Sequence, residues 1–224
     1  MPTALIIGAS RGIGRELVRQ YRAQGWRILA SARRDDDLAE LGVLGAEPHR
    51  IDVDDVNDWA ALGWLLDCEP VDVAFYVSGV YGPSTAGLEA PSQAEFDHVM
   101  HTNVLGAMRM ASVVAPAVAA AHGRLVVLSS HMGSIGDRSN GSAWLYRASK
   151  AALNSVLKDI SLFHPAGTMV AVSLHPGWVR TDMGGANASL SVEDSVASIR
   201  NVVSQLQPTH HGGFFNYDGK PLSW

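Results

Sequence analysis

Short apolar runs alternate along the chain with longer segments in which apolar residues recur at helical spacing. The apolar runs cover residues 4–7, 27–31, 47–51, 71–77, 124–129 and 169–174, with a weaker candidate at 214–215. The helical segments cover residues 13–24, 36–41, 56–66, 92–121, 143–163 and 192–206. The runs are apolar at consecutive positions, which is typical of parallel strands that are covered by helices on both faces. The pattern therefore predicts an α/β fold with one doubly wound parallel sheet of about seven strands.

Nothing along the chain suggests a division into parts, since the sequence contains no internal repeat, low-complexity tract or Pro/Ser-rich linker. We therefore expect one domain over residues 1–224. The formal net charge of −5 argues against nucleic acid or an anionic membrane as the main partner. Cys68 is the only cysteine, which excludes an intrachain disulfide and a thiolate zinc cluster. We see neither a secretory signal nor an apolar stretch of the ~20 residues that a membrane span needs, so we expect a soluble cytoplasmic protein.

A glycine-rich turn joins the first predicted strand to the first predicted helix. Its residues are Gly8-Ala9-Ser10-Arg11-Gly12-Ile13-Gly14. Glycines let the backbone approach a pyrophosphate, and the helix N-terminus supplies oriented N–H groups. Tight strand-to-helix turns also use glycine, but in the first turn of a Rossmann-type chain the loop indicates a bound dinucleotide. After the third predicted strand, Asp52 could bind the adenine amino group and Val53 could cover the ring, whereas an ordinary turn aspartate is the alternative.

The end of the second predicted strand distinguishes NAD from NADP. An acidic residue there would bind the ribose 2′-hydroxyl. The chain has Ala32 at that position, followed by Arg33 and Arg34. Arg33 can make a bidentate contact with a 2′-phosphate, and Arg11 can approach from the glycine loop. These features favour NADP(H), although Arg33 and Arg34 could also be solvated surface residues.

Tyr146 and Lys150 stand four residues apart on a predicted helix, so their side chains share one face. A positive charge beside a phenol favours the phenolate, and we therefore expect Lys150 to lower the pKa of Tyr146 from about 10 toward the working pH. Such a phenol can exchange a proton with a substrate. An exposed tyrosine that packs on a lysine stem is the alternative.

The sequence resembles the short-chain dehydrogenase/reductase family over essentially its full length. The landmarks that carry the resemblance are the GxxxGxG loop, Asp52-Val53, Thr102-Asn103-Val104, Ser129-Ser130, Tyr146-xxx-Lys150 and His175-Pro176-Gly177. More narrowly, residues 146–154, 175–183 and 217–222 are similar to the sniffer/C-factor branch of carbonyl reductases.

This resemblance implies a catalytic set of Asn103, Ser130, Tyr146 and Lys150. Ser130 and Tyr146 would bind the substrate carbonyl, and Tyr146 would transfer the proton. Lys150 would also hold the nicotinamide ribose, and Asn103 would position a water on a proton path to Lys150. Considered alone, Asn103 could merely distort its helix and Ser130 could cap a strand end. The resemblance further implies cofactor contacts at Ser78, Gly79, Pro176, Gly177, Val179 and Thr181, and no metal.

The chain departs from the family pattern in two places. Ile7 stands where the family has Thr, and Tyr76-Val77-Ser78-Gly79 replaces Asn-Asn-Ala-Gly after the fourth strand. In the family these polar groups brace each other beneath the cofactor. Replacing both partners of a hydrogen bond by apolar groups is often nearly neutral. We therefore expect the departures to affect local geometry and cofactor affinity rather than the chemistry.

These features lead to an NADPH-dependent carbonyl reductase for small carbonyl or alcohol substrates as the first hypothesis. A nucleotide-binding signalling or regulatory protein of the same fold is the alternative. An apolar, partly aromatic substrate pocket is suggested by His131, Met132, Trp144 and Trp178, although the two tryptophans could equally be packing residues. In the family, the helices corresponding to residues 92–121 and 143–163 form a dimer interface, so we expect a homodimer, with a homotetramer as the alternative.

Overall fold

The computed structural model describes residues 1–67, 69–84 and 87–224, so the single cysteine, Cys68, lies outside the described residues. The strands are β1 Thr3–Ile7, β2 Arg27–Ala32, β3 Glu47–Arg50, β4 Val73–Tyr76, β5 Arg124–Leu128, β6 Val170–His175 and β7 Gly213–Asn216. They form one sheet in the order β3-β2-β1-β4-β5-β6-β7. Every neighbouring pair is parallel. The predicted doubly wound sheet is confirmed, including its weak seventh strand.

Helices pack on both faces of this sheet. They are α1 Gly12–Ala23, α2 Asp35–Val43, α3 Val56–Leu65, α4 Gln93–Met100, α5 Gly106–Ala120, α6 Trp144–Phe163 and α7 Val192–Ser204. One core cluster joins the sheet to α3, α5 and α6, and a second joins it to α1, α2 and α7. Along β1, Leu5 and Ile7 belong to the first cluster and Ala4 and Ile6 to the second. Both faces of the central strands are therefore buried, which explains their continuous apolar runs.

The edge strand β3 differs from its prediction. The run 47–51 was expected to be apolar on both faces, but the side chains of Glu47–Arg50 are mostly exposed. Arg27 at the start of β2 binds the Glu47 carboxylate through nitrogen–oxygen contacts of 2.8 and 2.9 Å. An edge strand has one neighbour and less covering from helices, so charged side chains are tolerated there and discourage further strand pairing.

The predicted helix 92–121 is interrupted. A capping box at Ser92 and Glu95 starts α4, and a π-helical turn at His101–Leu105 separates α4 from α5. The turn contains Asn103, one of the predicted site residues. π-Helical turns of this length often occur at functional sites, where they redirect one side chain.

The same helical stretch bears on the expectation that no segment reaches membrane length. Gln93–Ala120 spans 28 residues and is apolar enough, by length and composition, to cross a bilayer. That expectation is therefore wrong by this criterion. Half of the most apolar window is buried inside the protein, as in the core helices of soluble proteins, so the stretch is weak evidence for a membrane span.

Candidate active site

A groove of about 900 Å³ opens at the carboxyl end of the strands, where the strand order reverses between β1 and β4. Doubly wound sheets bind their ligands at such a reversal. Of the predicted site residues, the lining contains Gly8, Ser10, Arg11, Gly12, Ile13, Arg33, Arg34, Val53, Ser78, Gly79, Tyr146, Lys150, Pro176 and Thr181. The lining does not contain Gly14, Asp52, Asn103, Ser130, Gly177 or Val179. The groove therefore joins both ends of the sequence in one site.

The glycine loop packs tightly at the floor of this groove. Gly8 and Gly12 have φ angles of +93° and +51°, in the left-handed region that favours glycine. A Cβ on Gly14 would overlap the Gly8 carbonyl oxygen, and one on Gly12 would lie 3.2 Å from the Thr181 Cγ2. Among the described residues, no side chain caps the N-terminus of α1. Its first N–H groups can therefore bind an anion, and the loop fits a pyrophosphate.

The three candidate arginines differ in their carboxylate partners. Arg34 makes two contacts of 2.9 Å with Asp37, and Arg11 lies 2.5 Å from Asp182. The Arg33 guanidinium is 3.9 Å from the Asp52 carboxylate, too far for a hydrogen bond. Of the three arginines, Arg33 therefore gives up the weakest carboxylate contact when it binds a phosphate.

Asp52 itself has a local role in this structure. Its carboxylate accepts the Asp54 N–H at 3.1 Å, as in an ordinary turn. Val53, the next residue, lines the groove as predicted. Asp52 therefore acts as the ordinary turn aspartate that the sequence analysis gave as the alternative to an adenine contact.

Tyr146 and Lys150 lie in the first two turns of α6 and are almost fully buried, with exposed fractions of 7% and 4%. The Lys150 Nζ is 5.8 Å from the Tyr146 ring centroid and donates to the Leu128 carbonyl at the end of β5, at 2.8 Å. The predicted common face is confirmed, and the alternative of an exposed tyrosine is excluded.

The pKa of Tyr146 does not follow the prediction. Burial raises it to about 12, while a hydrogen bond with the Ser130 hydroxyl opposes this shift. The expected lowering by Lys150 is therefore wrong in this structure, because loss of hydration dominates and Lys150 is not among the groups that shift this pKa. Burial also lowers the pKa of Lys150 to about 8, since the ammonium has lost its water.

Substituting Lys150 by Met is expected to stabilise the protein at pH 7 by about 1–3 kcal/mol, because a buried ammonium is costly. Between the native pKa of about 8 and the ordinary value of 10.5, the unfolded chain binds more protons than the native one. Wild-type stability therefore rises with pH across this window, and the advantage of Lys150→Met shrinks. Urea unfolding at several pH values measures it, with Lys158→Met, an exposed lysine on α6, as the control. An advantage that is independent of pH would contradict the prediction.

Asn103 lies behind the groove and is fully buried. Its Oδ1 accepts the Val80 N–H at 2.8 Å, and its Nδ2 donates to the Val80 carbonyl and to the Ser149 Oγ, each at 2.9 Å. Asn103 thus connects the loop after β4 to α6. A Cβ on Gly79 would lie 3.3 Å from the Asn103 Oδ1 and 3.4 Å from the Lys150 Nζ, so this glycine permits their close approach.

Ser130 follows β5 and begins a short 3₁₀ turn. Its Oγ accepts the Met132 N–H at 3.1 Å and also contacts the Tyr146 phenol. Arg147 holds the following loop against α6, since its Nε donates to the Ser142 carbonyl and its Nη2 to the Asn140 Oδ1, both at 2.7 Å. The loop between Ser130 and α6 is thereby fixed to the helix that carries Tyr146.

Two neighbours of Tyr146 were missed by the sequence-based predictions. The Tyr81 ring centroid lies 4.7 Å from that of Tyr146, and the Tyr146 hydroxyl donates to the Met183 Sδ at 4.0 Å. Neither residue belongs to a periodic pattern, although Met183 lies in the resemblance stretch 175–183. The predicted pocket residues His131, Met132, Trp144 and Trp178 are not part of the groove lining. Trp178 instead donates from Nε1 to the Gly184 carbonyl at 2.8 Å, which holds the loop that carries Met183.

Comparison with known proteins agrees with this geometry. The family model described as short chain dehydrogenase matches residues 2–190. C-signal of Myxococcus xanthus is 40% identical over 157 residues, which cover 69% of this chain and 93% of that protein. The carbonyl reductase Sniffer of D. melanogaster superposes on this chain with a TM-score of 0.93 at 29% sequence identity. A carbonyl reductase from Pseudomonas aeruginosa PAO1 in complex with NADP superposes with a TM-score of 0.87 at 30% identity. Each match covers 100% of both chains. The chain therefore belongs to the short-chain dehydrogenase family.

Proposed function

We propose that this protein is an NADP(H)-dependent oxidoreductase of the carbonyl reductase type, which transfers a hydride between the nicotinamide and a small carbonyl or alcohol substrate. The observation that carries the proposal is the meeting of a buried phenol, a buried amine and a hydroxyl, from Tyr146, Lys150 and Ser130, beside a groove with a glycine-rich floor. The structural similarity to Sniffer and to a carbonyl reductase with bound NADP supports it.

The cofactor is assigned to the groove residues. The glycine loop and the N-terminus of α1 would hold the pyrophosphate, and Arg33, with Arg11 opposite, would hold the 2′-phosphate. The nicotinamide half would lie toward Gly79, Pro176 and Thr181, next to Tyr146. When bound, the cofactor supplies or accepts the hydride.

The protein's own part in the reaction is proton transfer and polarisation of the carbonyl. The Ser130 and Tyr146 hydroxyls would donate hydrogen bonds to the substrate oxygen, where negative charge develops during reduction. The raised pKa of about 12 keeps Tyr146 protonated at neutral pH, so a proton is ready for the developing alkoxide. The Lys150 ammonium would stabilise the phenolate that remains, and Asn103 would keep α6 and the loop after β4 in register.

The substrate side of the phenol is apolar and open. Tyr81 and Met183 flank Tyr146, and their exposed fractions are 38% and 48%. Contacts of this kind suit a small, partly apolar aldehyde or ketone rather than a strongly charged substrate.

Oxidation of NADPH in the presence of a panel of aldehydes and ketones tests the function. A signalling role is the second candidate, because the relative with 40% identity is named C-signal. If NADPH binds but no carbonyl in a broad panel accelerates its oxidation, the signalling role is favoured. Saturable turnover with any member of the panel supports the reductase.

The proposal includes one catalytic domain, a cytoplasmic location and no nucleic-acid or membrane partner, as the net charge of −5 favours. We also propose a homodimer through α5 and α6. Met108 on α5 and Leu162 and Phe163 on α6 are 50%, 72% and 82% exposed, which is unusual for apolar side chains unless another surface covers them.

Light scattering at micromolar concentration is expected to give twice the chain mass of 23.9 kDa. Met108→Glu should shift the mass toward the monomer, because it places a charge in the interface. Leu88→Glu, at an exposed leucine away from these helices, is the control. A monomeric wild type that still reduces carbonyls would contradict the interface.

A further inference from the structure

Tyr76 is the last residue of β4 and the first of the unusual stretch Tyr76-Val77-Ser78-Gly79, and its side chain is buried completely. The Tyr76 hydroxyl donates to the Thr102 carbonyl at 2.5 Å. Burial raises the pKa of this phenol far above its ordinary range, so the hydroxyl remains a donor at every working pH. The turn has therefore lost the polar pattern of its family and gained a long-range hydrogen bond.

The accepting carbonyl lies in the π-helical turn His101–Leu105. In a regular α-helix, the Thr102 carbonyl would accept the N–H of Gly106, four residues later. Here the Gly106 N–H donates to the His101 carbonyl instead. The Thr102 carbonyl therefore lacks its α-helical donor, and the Tyr76 hydroxyl donates to it instead. A buried carbonyl without any donor would be costly.

Gly106 matches this arrangement. A Cβ at this position would overlap the Tyr76 Oη, and it would also lie 3.1 Å from the Val53 Cβ. Its φ angle of −58° is ordinary, so the absence of a side chain is explained by space and not by backbone conformation. Tyr76 and Gly106 thus form a complementary pair across the first core cluster.

The π-helical turn determines where Asn103 points. Each residue of an α-helix turns the next side chain by about 100°, so a change from π to α pattern would rotate Asn103 away from Val80 and Ser149. Ser149 in turn donates to the Tyr146 carbonyl at 2.8 Å. A continuous set of hydrogen bonds therefore leads from the turn to the helix that carries the phenol.

We propose that the Tyr76 hydroxyl is a positioning group: with Gly106, it holds the π-helical turn in register, so that Asn103 braces the loop after β4 and the Tyr146 helix. The effect on turnover rests on the proposed function, whereas the effect on the turn stands without it.

Tyr76→Phe tests the proposal, because Phe keeps the ring and removes the hydroxyl. Amide hydrogen exchange is expected to be at least about five-fold faster in residues 79–82 and 101–107, as expected for a lost buried hydrogen bond. For carbonyl reduction, kcat should fall about five- to thirty-fold while the Kd for NADPH stays within about two-fold. The matched control is Tyr21→Phe, at a buried tyrosine in the second core cluster, which should leave exchange in both segments unchanged.

A second variant tests the pairing with Gly106. Gly106→Ala should lower the Tm more in the wild type than in Tyr76→Phe, because the Phe variant has no Oη for the new methyl group to meet. Equal losses in both backgrounds, or exchange in Tyr76→Phe equal to that in Tyr21→Phe, would overturn the proposal whatever the activity. A wild type without reductase activity would overturn the proposed function alone, since exchange and Tm still decide the role of Tyr76.

Discussion

Tyr146→Phe is expected to lower kcat for carbonyl reduction by about 10²–10⁴-fold, the contribution of a well-placed proton donor. Phe retains the ring, whose centroid lies 4.7 Å from that of Tyr81. Only 7% of Tyr146 is exposed, so the packing around the ring should be preserved. The fold and the affinity for NADPH should therefore persist. Steady-state NADPH oxidation gives kcat, and a fluorescence titration gives the Kd for NADPH.

Tyr81→Phe is the matched control, because it removes a hydroxyl from the neighbouring ring. Its kcat should stay within about three-fold of the wild type, since Tyr81 is not expected to transfer a proton. A Tyr146→Phe protein with near-normal turnover would show that another group is the acid. If the wild type also lacked turnover, the signalling candidate would be favoured.

Arg33→Ala is expected to weaken NADPH binding by about 10- to 150-fold, because a hydrogen bond to a charged group contributes about 1.5–3 kcal/mol. Binding of NADH should change little, since NADH carries no 2′-phosphate. The contact of 3.9 Å with Asp52 leaves the Arg33 guanidinium without a strong competing partner. Calorimetric titration of both cofactors against both proteins measures the effect.

Arg34→Ala provides the control on the adjacent residue. Its guanidinium is held by both Asp37 oxygens at 2.9 Å, so its removal should change NADPH affinity by less than about three-fold. A larger loss from Arg34→Ala than from Arg33→Ala would assign the phosphate to Arg34. Equal affinity of the wild type for NADH and NADPH would contradict the assignment of either arginine.

The existence of most strands follows from local features of the sequence, whereas their order in the sheet was not predicted. Continuous apolar runs predict buried parallel strands, and the spacing of Tyr146 and Lys150 predicts their common face, which the structure confirms. The exposed strand β3 was wrongly predicted as buried, although Glu47, His49 and Arg50 make its residues polar, as suits an edge strand.

The neighbours of the phenol could not be predicted in this way. Tyr81 and Met183 lie far from Tyr146 in the sequence, and they come within contact only when the loops after β4 and β6 fold toward α6. Trp178, which the sequence suggested as a pocket residue, instead donates to the backbone of the loop after β6.

The sequence by itself determined the sheet, the glycine loop and the common helix face of Tyr146 and Lys150, because each depends on residue types at short, regular spacing. Only the tertiary structure decided the pKa values of Tyr146 and Lys150, since these depend on how completely the surrounding chain excludes water. The tertiary structure also decided the role that we propose for Tyr76, which in the sequence is only a departure from the polar pattern of the family. The compensating acceptor, the Thr102 carbonyl, is 26 residues away and is brought to the phenol only by packing of the helix on the sheet.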